Sequence, residues 1–356
     1  MAVKQLDLPG HYNPKHCSDA SYFVKDVSAV MRAAHAWAKK YGVQPAGSDG
    51  NPRLKRKRIE LLVIDDQIDF SFPSGTLYVA GRSGTGAMDA HRNLVEWVYR
   101  YLGLITNISC TLDTHYPFQV FYPSAHLKAD GTHPTPHTII KALEYQSGQY
   151  QANPAMAAQL KVDSVWLTRQ FAYYCQQLEK SGKYALYLWP YHCMLGEPGH
   201  ALAGVVEEAR LFHSFARGAK NDWQVKGVNP LTENYSIFAP EVMTTFDGKS
   251  IPGAQRNTIL IQRLLSADYV VIAGEASSHC VKTSIDDLLN DIRQQDEALA
   301  KKVYIMRDCT AAVVVPPIKV DFTDEAEAAF KKFADAGMNL VNSTDPIESW
   351  PGIQLD

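Results

Sequence analysis

The 356-residue chain lacks the features that define several large classes of protein. Its net charge is only −3, so no strong electrostatic field favours nucleic acid or an anionic membrane surface as a partner. No apolar run is long enough to span a bilayer, and residues 1–10 contain no apolar signal core. We therefore expect a cytoplasmic globular protein that binds neither nucleic acid nor membranes.

Disulfide signatures are missing as well, because the chain contains no Cys-x-x-Cys pair. Its six cysteines are Cys17, Cys110, Cys175, Cys193, Cys280 and Cys309. Such scattered positions in a chain of this length are typical of reduced thiols.

Cys280 stands in a segment that favours a reactive thiol. An apolar, β-branched run at 269–273 leads through a turn of small residues to Cys280, and apolar residues at helical spacing continue to Ile292. This pattern predicts a strand, a tight turn and a helix with Cys280 in its first turn. Unpaired N–H groups at a helix start stabilise the thiolate, so Cys280 is the candidate nucleophile. A buried structural thiol is the alternative.

Strand and helix patterns alternate from Ile59 onward. Strands are predicted at 59–64, 104–112, 223–225, 269–273, 303–306 and 339–341, and helices at 87–102, 255–265, 280–292 and 324–336. This alternation predicts an α/β fold with a doubly wound, mostly parallel sheet and helices on both faces. The domain is expected at 59–356, after an N-terminal extension at 1–58 that contains a predicted helix at 27–40. The basic run at 53–58 is interpreted as a solvated entrance to the first strand rather than a nucleic-acid patch.

Charged side chains stand at the predicted carboxyl ends of strands, where α/β proteins carry their chemistry. Asp65 follows the first strand, and a buried carboxylate there needs a partner or a chemical role. The alternative is a helix cap or turn former. Lys226 ends a short strand before a glycine and would pair with Asp65, biasing the thiol toward thiolate.

A metal site is predicted from Asp113 and His115. These two residues face the same side of an extended chain, and His192 is the candidate third ligand. Other histidines remain alternatives, namely His126, His133 and His137. Two histidines and one carboxylate leave coordination positions open for water and substrate. One divalent ion is expected, with zinc as first choice and iron or manganese as alternatives.

Five blocks in the expected order resemble the isochorismatase-like cysteine hydrolases, and within them the nicotinamidases. The blocks cover 64–70, 111–115, 189–199, 226–238 and 274–281. The resemblance implies a catalytic triad of Asp65, Lys226 and Cys280. It also implies an oxyanion hole of backbone N–H groups at Ala276 and Cys280, and the metal ligands Asp113, His115 and His192. Phe70 and Trp189 are candidates for lining the pocket that binds the aromatic ring of the substrate. Packing in the hydrophobic core is the alternative for both.

The activity implied by the resemblance is hydrolysis of nicotinamide to nicotinate and ammonia through a thioester on Cys280. A small amide is thus the expected partner, and we expect a homo-oligomer. Alternatives are another amide or carbamoyl substrate, isochorismate, a non-haem iron oxygenase, or a non-catalytic binding module. Oxygenases with this ligand set are usually all-β, and the intact triad argues against a binding module.

Three features depart from the family pattern. Residues 275–279 read Glu-Ala-Ser-Ser-His, where the family usually has a hydrophobic residue and an acid-aromatic pair. Glu233 and Asn234 stand where an Asp-Ser pair is common. A long insertion at 116–188 separates the metal motifs, with a helical pattern at 155–183 and a strand pattern at 185–188. We expect it to act as a lid or an oligomer contact.

Overall fold

The structure is a computed structural model that describes residues 5–54, 56–182 and 184–355. Residues 1–4 and 55 of the predicted N-terminal extension, and residue 183 of the predicted insertion, lie outside the described residues. The chain divides into two compact units. The first comprises Met1–Leu112, Ala201–Gln224 and Thr258–Asp356, and the second comprises Asp113–His200 and Val225–Asn257. The predicted boundaries at residue 58 and at 116–188 stay predictions.

The described residues form ten α-helices and twelve strands. The helices are α1 (Val27–Tyr41), α2 (Ile68–Ser71), α3 (Gly86–Arg100), α4 (Ala142–Gln146), α5 (Pro154–Leu160), α6 (Ser164–Ser181), α7 (Gly204–Arg217), α8 (Thr258–Ser266), α9 (Cys280–Gln295) and α10 (Thr323–Asp335). The strands are β1 (Ile59–Ile64), β2 (Ile105–Asp113), β3 (His126–Lys128), β4 (Ile139–Ile140), β5 (Tyr150–Ala152), β6 (Leu186–Tyr187), β7 (Trp223–Lys226), β8 (Tyr269–Gly274), β9 (Val303–Met306), β10 (Val314–Val315), β11 (Val320–Asp321) and β12 (Asn339–Val341).

A six-stranded sheet organises the first unit, in the order β12-β9-β8-β1-β2-β7. β1 runs parallel to both β2 and β8, and β9 runs parallel to both β8 and β12. The predicted α/β class with a mostly parallel sheet is therefore confirmed. The last residue of β2 and the last two residues of β7 belong to the second unit.

Helices cover both faces of this sheet. Ile59, Leu61 and Val63 of β1 belong to a core cluster that also takes in apolar residues of α1, α3 and α7. Leu62 and Ile64 are just as buried but lie outside that cluster. Because alternate strand residues point to opposite faces, a second apolar layer must cover them. The buried apolar residues of α8, α9 and α10 are likewise outside the first cluster, so the sheet is doubly wound, as predicted.

The strand order reverses direction between β1 and β8, which makes this position the topological switch point of the sheet. The chain adds β2 and β7 on one side of β1, and then β8, β9 and β12 on the other. In open parallel sheets, ligands bind at the carboxyl ends of the strands that flank such a point. Asp65 follows β1 directly, and Cys280 follows β8 after a short turn.

Gly274 permits a close approach of the two flanking strands. It pairs with Ile64 at the end of β1 and has a φ of 110°, which favours glycine. A Cβ at this position would lie 2.1 Å from the Ile64 carbonyl oxygen. The N–H of Glu275 donates to the same oxygen at 2.6 Å. Glycine is therefore required where β8 leads into the turn before Cys280.

The N-terminal helix α1 has clear start and stop signals. The Asp26 side chain accepts a hydrogen bond from the Ala29 N–H at 2.9 Å, and the left-handed Gly42 ends the helix. Its buried residues, Val30, Ala34 and Trp37, recur at helical spacing. The predicted helix at 27–40 is thus confirmed.

The second unit contains two small antiparallel ribbons, β3 with β5 and β4 with β6. The helical pattern predicted at 155–183 is confirmed over most of its described residues, although two helices, α5 and α6, form it. Lys161 takes the left-handed conformation that ends α5, and the Asp163 side chain then caps α6. The strand predicted at 185–188 is shorter, at Leu186–Tyr187.

Two further differences concern helices of the first unit. α7 was not predicted from the sequence, and its buried apolar residues belong to the same core cluster as those of α1 and α3. α8 begins at Thr258, three residues after the predicted start. None of the helices in the described part of the chain combines the length and apolar character that a membrane crossing requires.

Candidate active site

Asp65 is held rigidly at the carboxyl end of β1. It is fully buried and has a φ of 50°, a left-handed conformation that aspartate tolerates better than most residues. Its N–H donates to Oγ1 of Thr111 at 3.0 Å, and the Thr111 hydroxyl donates in return to Oδ1 of Asp65. Because Thr111 lies on the neighbouring β2, the two strands together fix the orientation of the carboxylate.

Cys280 is the first residue of α9 and is 8% exposed. The preceding turn is closed by the Ala276 carbonyl, which accepts from the N–H groups of His279 at 3.0 Å and Val281 at 3.1 Å. The Cys280 Sγ and a carboxylate oxygen of Asp65 lie within 4.8 Å of each other. The structure thus brings together the predicted nucleophile and the predicted acid within one unit. A carboxylate beside a thiol at a helix start can act as its base.

Polar contacts fasten the nucleophile turn to residues 311–313. Glu275 Oε2 accepts from the Ala311 N–H at 3.0 Å, and the Ser277 N–H donates to the Ala311 carbonyl at 2.8 Å. Ser278 Oγ accepts from the Val313 N–H at 3.1 Å. The residues that depart from the family pattern therefore have a structural role, which is to hold the turn that leads to Cys280.

Glu275 itself is a buried carboxylic acid. Burial and the nearby charge of Asp66 raise the pKa of Glu275 well above its usual range, which favours the protonated acid in the folded protein. Its Oε1 has no hydrogen-bond partner among the described residues. The sequence signal for this feature was an acidic residue at a position where the family usually has a hydrophobic one.

We expect Glu275→Gln to flatten the pH dependence of stability. Because the folded state raises the pKa of Glu275, the wild-type protein loses stability as the pH rises from about 4.3, the pKa of unfolded glutamate, toward the folded value. Glutamine keeps the acceptor for Ala311 but does not titrate. The free energy of unfolding, measured between pH 5 and pH 8, should fall less steeply in the variant. The difference should be at most about 1.4 kcal/mol for each pH unit between the unfolded and the folded pKa of Glu275. The exposed Glu325→Gln is the control and should keep the wild-type slope; an equal slope in Glu275→Gln would refute the assignment.

In the second unit, Asp113, His115 and His192 converge on one point. Their ligand atoms all lie within 4.8 Å of one another, and all three side chains are buried. His115 Nε2 is 3.0 Å and His192 Nε2 is 3.8 Å from Oδ2 of Asp113. The structure therefore brings together the predicted metal ligands, although the long insertion separates two of them in sequence.

Both imidazoles are oriented by carbonyl groups on their outer side. His115 Nδ1 is 3.2 Å from the Gly227 carbonyl oxygen, and His192 Nδ1 is 2.7 Å from the Pro190 carbonyl oxygen. Donation from each Nδ1–H would leave the Nε2 lone pairs facing Asp113, which is how metal-binding histidines are usually held. The Tyr122 hydroxyl also donates to the His192 carbonyl at 2.9 Å. Sequence reasoning did not identify Tyr122, because no motif links it to His192.

The electrostatics of this cluster suit a divalent cation. Burial alone would raise the pKa of Asp113, but the charges of His115 and Lys226 hold it well below its usual range. Burial lowers the pKa of His115, although the charge of Asp113 opposes this effect. A carboxylate with two imidazoles is a donor set that fits zinc, iron or manganese and leaves coordination positions open.

Lys226 is a buried cation whose ionic partner in this unit is Asp113. Its Nζ lies 3.0 Å from Oδ1 of Asp113 and donates to the Asn234 carbonyl at 2.9 Å. The pairing with Asp65 that the sequence suggested stays a prediction. Nearby, burial and the charge of Asp113 raise the pKa of Glu233 to about 8. In the sequence, Glu233 stood out only because it occupies a position where an Asp-Ser pair is common in nicotinamidases.

The other candidate histidines bond elsewhere. His126 Nε2 is 2.6 Å from the Val120 carbonyl oxygen, and His133 Nδ1 is 2.7 Å from the His126 carbonyl oxygen. His137 Nδ1 is 2.8 Å from the Tyr187 hydroxyl. None of the three joins the ligand cluster found among the described residues.

Phe70 and Trp189, the two residues predicted to line the substrate pocket, are both largely buried. Phe70 lies on α2 in the first unit and is 7% exposed. In the second unit, Trp189 donates through Nε1 to the Tyr235 hydroxyl at 3.0 Å, and its ring packs 4.4 Å from that of Tyr187. The ring of Trp189 is 6.5 Å from that of His192, so it borders the ligand cluster. A substrate-binding role stays a prediction for both residues.

Comparison with known proteins found solved structures of nicotinamidases and pyrazinamidases. The yeast nicotinamidase Pnc1p, bound to the inhibitor nicotinaldehyde, is 15% identical with a TM-score of 0.47 and matches 80% of this chain and 99% of its own. PnC1 from L. infantum, in complex with nicotinate, is 19% identical with a TM-score of 0.43, over 82% and 94% of the two chains. The Pyrococcus horikoshii pyrazinamidase, in complex with zinc, is 16% identical with a TM-score of 0.42, over 80% and 98%. No family model and no curated protein matches the chain. These similarities are too distant to assign an activity.

Gly227 provides a test of the ligand cluster. It has a φ of 80°, and a Cβ there would lie 2.5 Å from Oδ1 of Asp113 and 2.7 Å from Cε1 of His115. We expect Gly227→Ala to displace both ligands and to weaken binding of Zn²⁺ or Co²⁺ by roughly tenfold or more, as loss of ligand orientation does. Metal titration of the purified protein measures the effect.

Gly248→Ala is the matched control for the substitution of Gly227. Gly248 has nearly the same φ, 81°, but a Cβ there meets no atom within 4 Å. It should therefore show the backbone strain alone and keep the wild-type metal affinity. Equal metal binding by both variants and the wild-type protein would contradict a metal site at these three residues.

Proposed function

We propose that the chain is a cysteine amidohydrolase and that its substrate is nicotinamide. The supporting observation is the buried carboxylate of Asp65 within 4.8 Å of the Cys280 thiol, at the switch point of a parallel sheet. Both residues belong to blocks that resemble those of nicotinamidases. The homo-oligomeric state and the cytoplasmic location stay predictions.

In the first half of the proposed reaction, Cys280 is acylated. Asp65 accepts the proton from Sγ, and the thiolate attacks the carboxamide carbon, so that a C–S bond forms and the carbonyl oxygen becomes an oxyanion. The N–H groups of Ala276 and Cys280 would donate to this oxyanion. Asp65 then returns the proton to the nitrogen, the C–N bond breaks, and ammonia leaves a thioester on Cys280.

In the second half, water hydrolyses the thioester. Asp65 accepts a proton from the attacking water as a C–O bond forms, the C–S bond breaks, and Asp65 returns the proton to Sγ. Nicotinic acid leaves and ionises to nicotinate in solution. The Thr111 hydroxyl keeps the Asp65 carboxylate oriented through both steps, because it is bonded to both the N–H and the side chain of that residue.

The second unit would supply the metal and a buried positive charge. Asp113, His115 and His192 would hold one divalent ion, with zinc as first choice. When bound, such an ion supplies a Lewis-acidic position for a ring nitrogen or water. Lys226 keeps Asp113 ionised, so that its carboxylate is available as a ligand.

We expect ammonia release from nicotinamide by the wild-type protein and its loss in two variants. Cys280→Ala should abolish turnover, because no thioester can form. Asp65→Asn should lower kcat by roughly 10²–10⁴, since asparagine tolerates the left-handed backbone and can bond to Thr111 but cannot accept the proton. An ammonia assay on a panel of nicotinamide, benzamide and a carbamoyl compound measures both effects.

Cys110→Ala is the matched thiol control, because Cys110 is a buried cysteine of β2. It should keep turnover within a few-fold of the wild-type value at a temperature where the variant remains folded. Release of ammonia from a different amide but not from nicotinamide would identify that amide as the substrate instead. Full activity in Cys280→Ala, or no hydrolysis of any compound in the panel by metal-loaded wild-type protein, would overturn it.

A further inference from the structure

A short segment near the start of the predicted insertion lies against both histidines of the ligand cluster. It comprises residues 119–122, which we call the support segment, and all four residues are buried. Backbone hydrogen bonds anchor it within the second unit. The Val120 N–H donates to the Pro230 carbonyl at 2.9 Å, and the Phe121 carbonyl accepts from the Trp189 N–H at 2.9 Å. Contacts that do not involve the two histidines therefore fix its position.

The ring of Tyr122 packs edge to face against both histidine ligands. Its centroid is 5.7 Å from that of His115, at an interplanar angle of 85°, and 5.7 Å from that of His192, at 82°. The two imidazole rings are 4.8 Å apart. Because buried side chains are close-packed, rotation of either imidazole would bring it against the tyrosine ring. One aromatic ring thus limits the orientations of both ligands.

The hydroxyl group of Tyr122 holds the backbone of His192. It donates to the His192 carbonyl at 2.9 Å and accepts from the His192 N–H at 3.3 Å. Both polar groups of this buried backbone therefore have a partner, and loss of such a partner is unfavourable. The Tyr122 hydroxyl thus fixes the backbone from which one of the two imidazoles projects.

Gln119 supports the other imidazole, that of His115. Its Nε2 donates to the carbonyl of Gly227 and, at 3.2 Å, to that of Asn229. Its Oε1 accepts from the Tyr116 N–H at 3.1 Å, so both N–H groups and the oxygen of the amide are used. The Gly227 carbonyl is the group that lies 3.2 Å from Nδ1 of His115. Gln119 therefore fixes the carbonyl oxygen that orients this ligand.

We propose that the support segment holds both imidazoles in place for a divalent ion, with Gln119 and Tyr122 as its positioning residues. The inference rests on the metal site of the proposed function and adds two residues that would hold the ligands without touching the ion. Residues in this role commonly contribute roughly 10- to 100-fold to metal affinity. The start of the insertion would then serve the metal site directly.

Titration of the purified protein with Zn²⁺ and Co²⁺, after removal of bound metal, tests the role of Tyr122. Tyr122→Phe keeps the ring but removes the hydroxyl, so the His192 backbone loses both of its partners. Binding of both ions should weaken by roughly tenfold or more. The absorption spectrum of bound Co²⁺ should change as well, because it depends on the geometry of the ligands.

Tyr145→Phe is the matched control for Tyr122→Phe. Tyr145 is also a buried tyrosine of the second unit, and its hydroxyl is hydrogen-bonded to Nδ1 of His126. His126 does not belong to the ligand cluster found among the described residues. This variant should keep the wild-type metal affinity and the wild-type Co²⁺ spectrum.

Gln119→Met tests the other positioning residue. Methionine has a similar length but cannot donate to the carbonyls of Gly227 and Asn229, so metal affinity should again fall by roughly tenfold or more. Gln170→Met is the matched control. Gln170 is a buried glutamine of the same unit whose Oε1 accepts from the Phe246 N–H at 2.9 Å, outside the ligand cluster. It should keep the wild-type metal affinity.

Wild-type metal affinity in folded Tyr122→Phe or folded Gln119→Met would overturn the proposal, and so would equal losses in the matched controls. Circular dichroism melts establish which variants are folded, and if one of the two unfolds, the other decides. Failure of the wild-type protein to bind either ion would overturn this inference together with the metal site. Absence of amide hydrolysis in protein that shows the expected affinities would count against the proposed reaction alone.

Discussion

The close contact of β1 and β8 at Gly274 is the constraint on which the candidate nucleophile depends. The Glu275 N–H donates to the Ile64 carbonyl, and a side chain at Gly274 would collide with the same group. One strand therefore ends at Asp65 while its neighbour ends at the turn before Cys280. Parallel pairing, rather than sequence proximity, brings the acid and the thiol within 4.8 Å.

Charge balance is the corresponding constraint in the second unit. Asp113 is buried and faces Lys226 on one oxygen and two histidines on the other. A buried carboxylate is tolerated only when positive charge or hydrogen-bond donors compensate it. The charge of Lys226 keeps Asp113 ionised, and the carbonyl groups behind His115 and His192 direct the Nε2 atoms inward, so the same contacts prepare the three residues for a divalent ion.

Much of the sheet and the candidate site could be predicted from local sequence. β1 and β9 were predicted with the observed bounds, because continuous apolar runs mark strands buried on both faces. Asp113 and His115 were paired correctly because residues two apart in a strand share a face.

Other features depend on contacts between distant segments and have no local signature. The break between α5 and α6 arises from the left-handed Lys161, a conformation that sequence patterns rarely reveal. The side chain of Glu275 accepts a hydrogen bond from the N–H of Ala311, and that of Glu208 accepts one from the hydroxyl of Tyr22. Neither partner can be identified from spacing.

If the proposed reaction is right, Cys280 carries the acyl group during turnover. This can be tested by acid quenching of wild-type protein during steady-state hydrolysis of nicotinamide, followed by peptide mass mapping. We expect a nicotinoyl group on the peptide that contains Cys280, bound as a thioester that hydroxylamine removes. A nicotinoyl group on another residue, or turnover that survives alkylation of Cys280, would show that Cys280 is not the nucleophile.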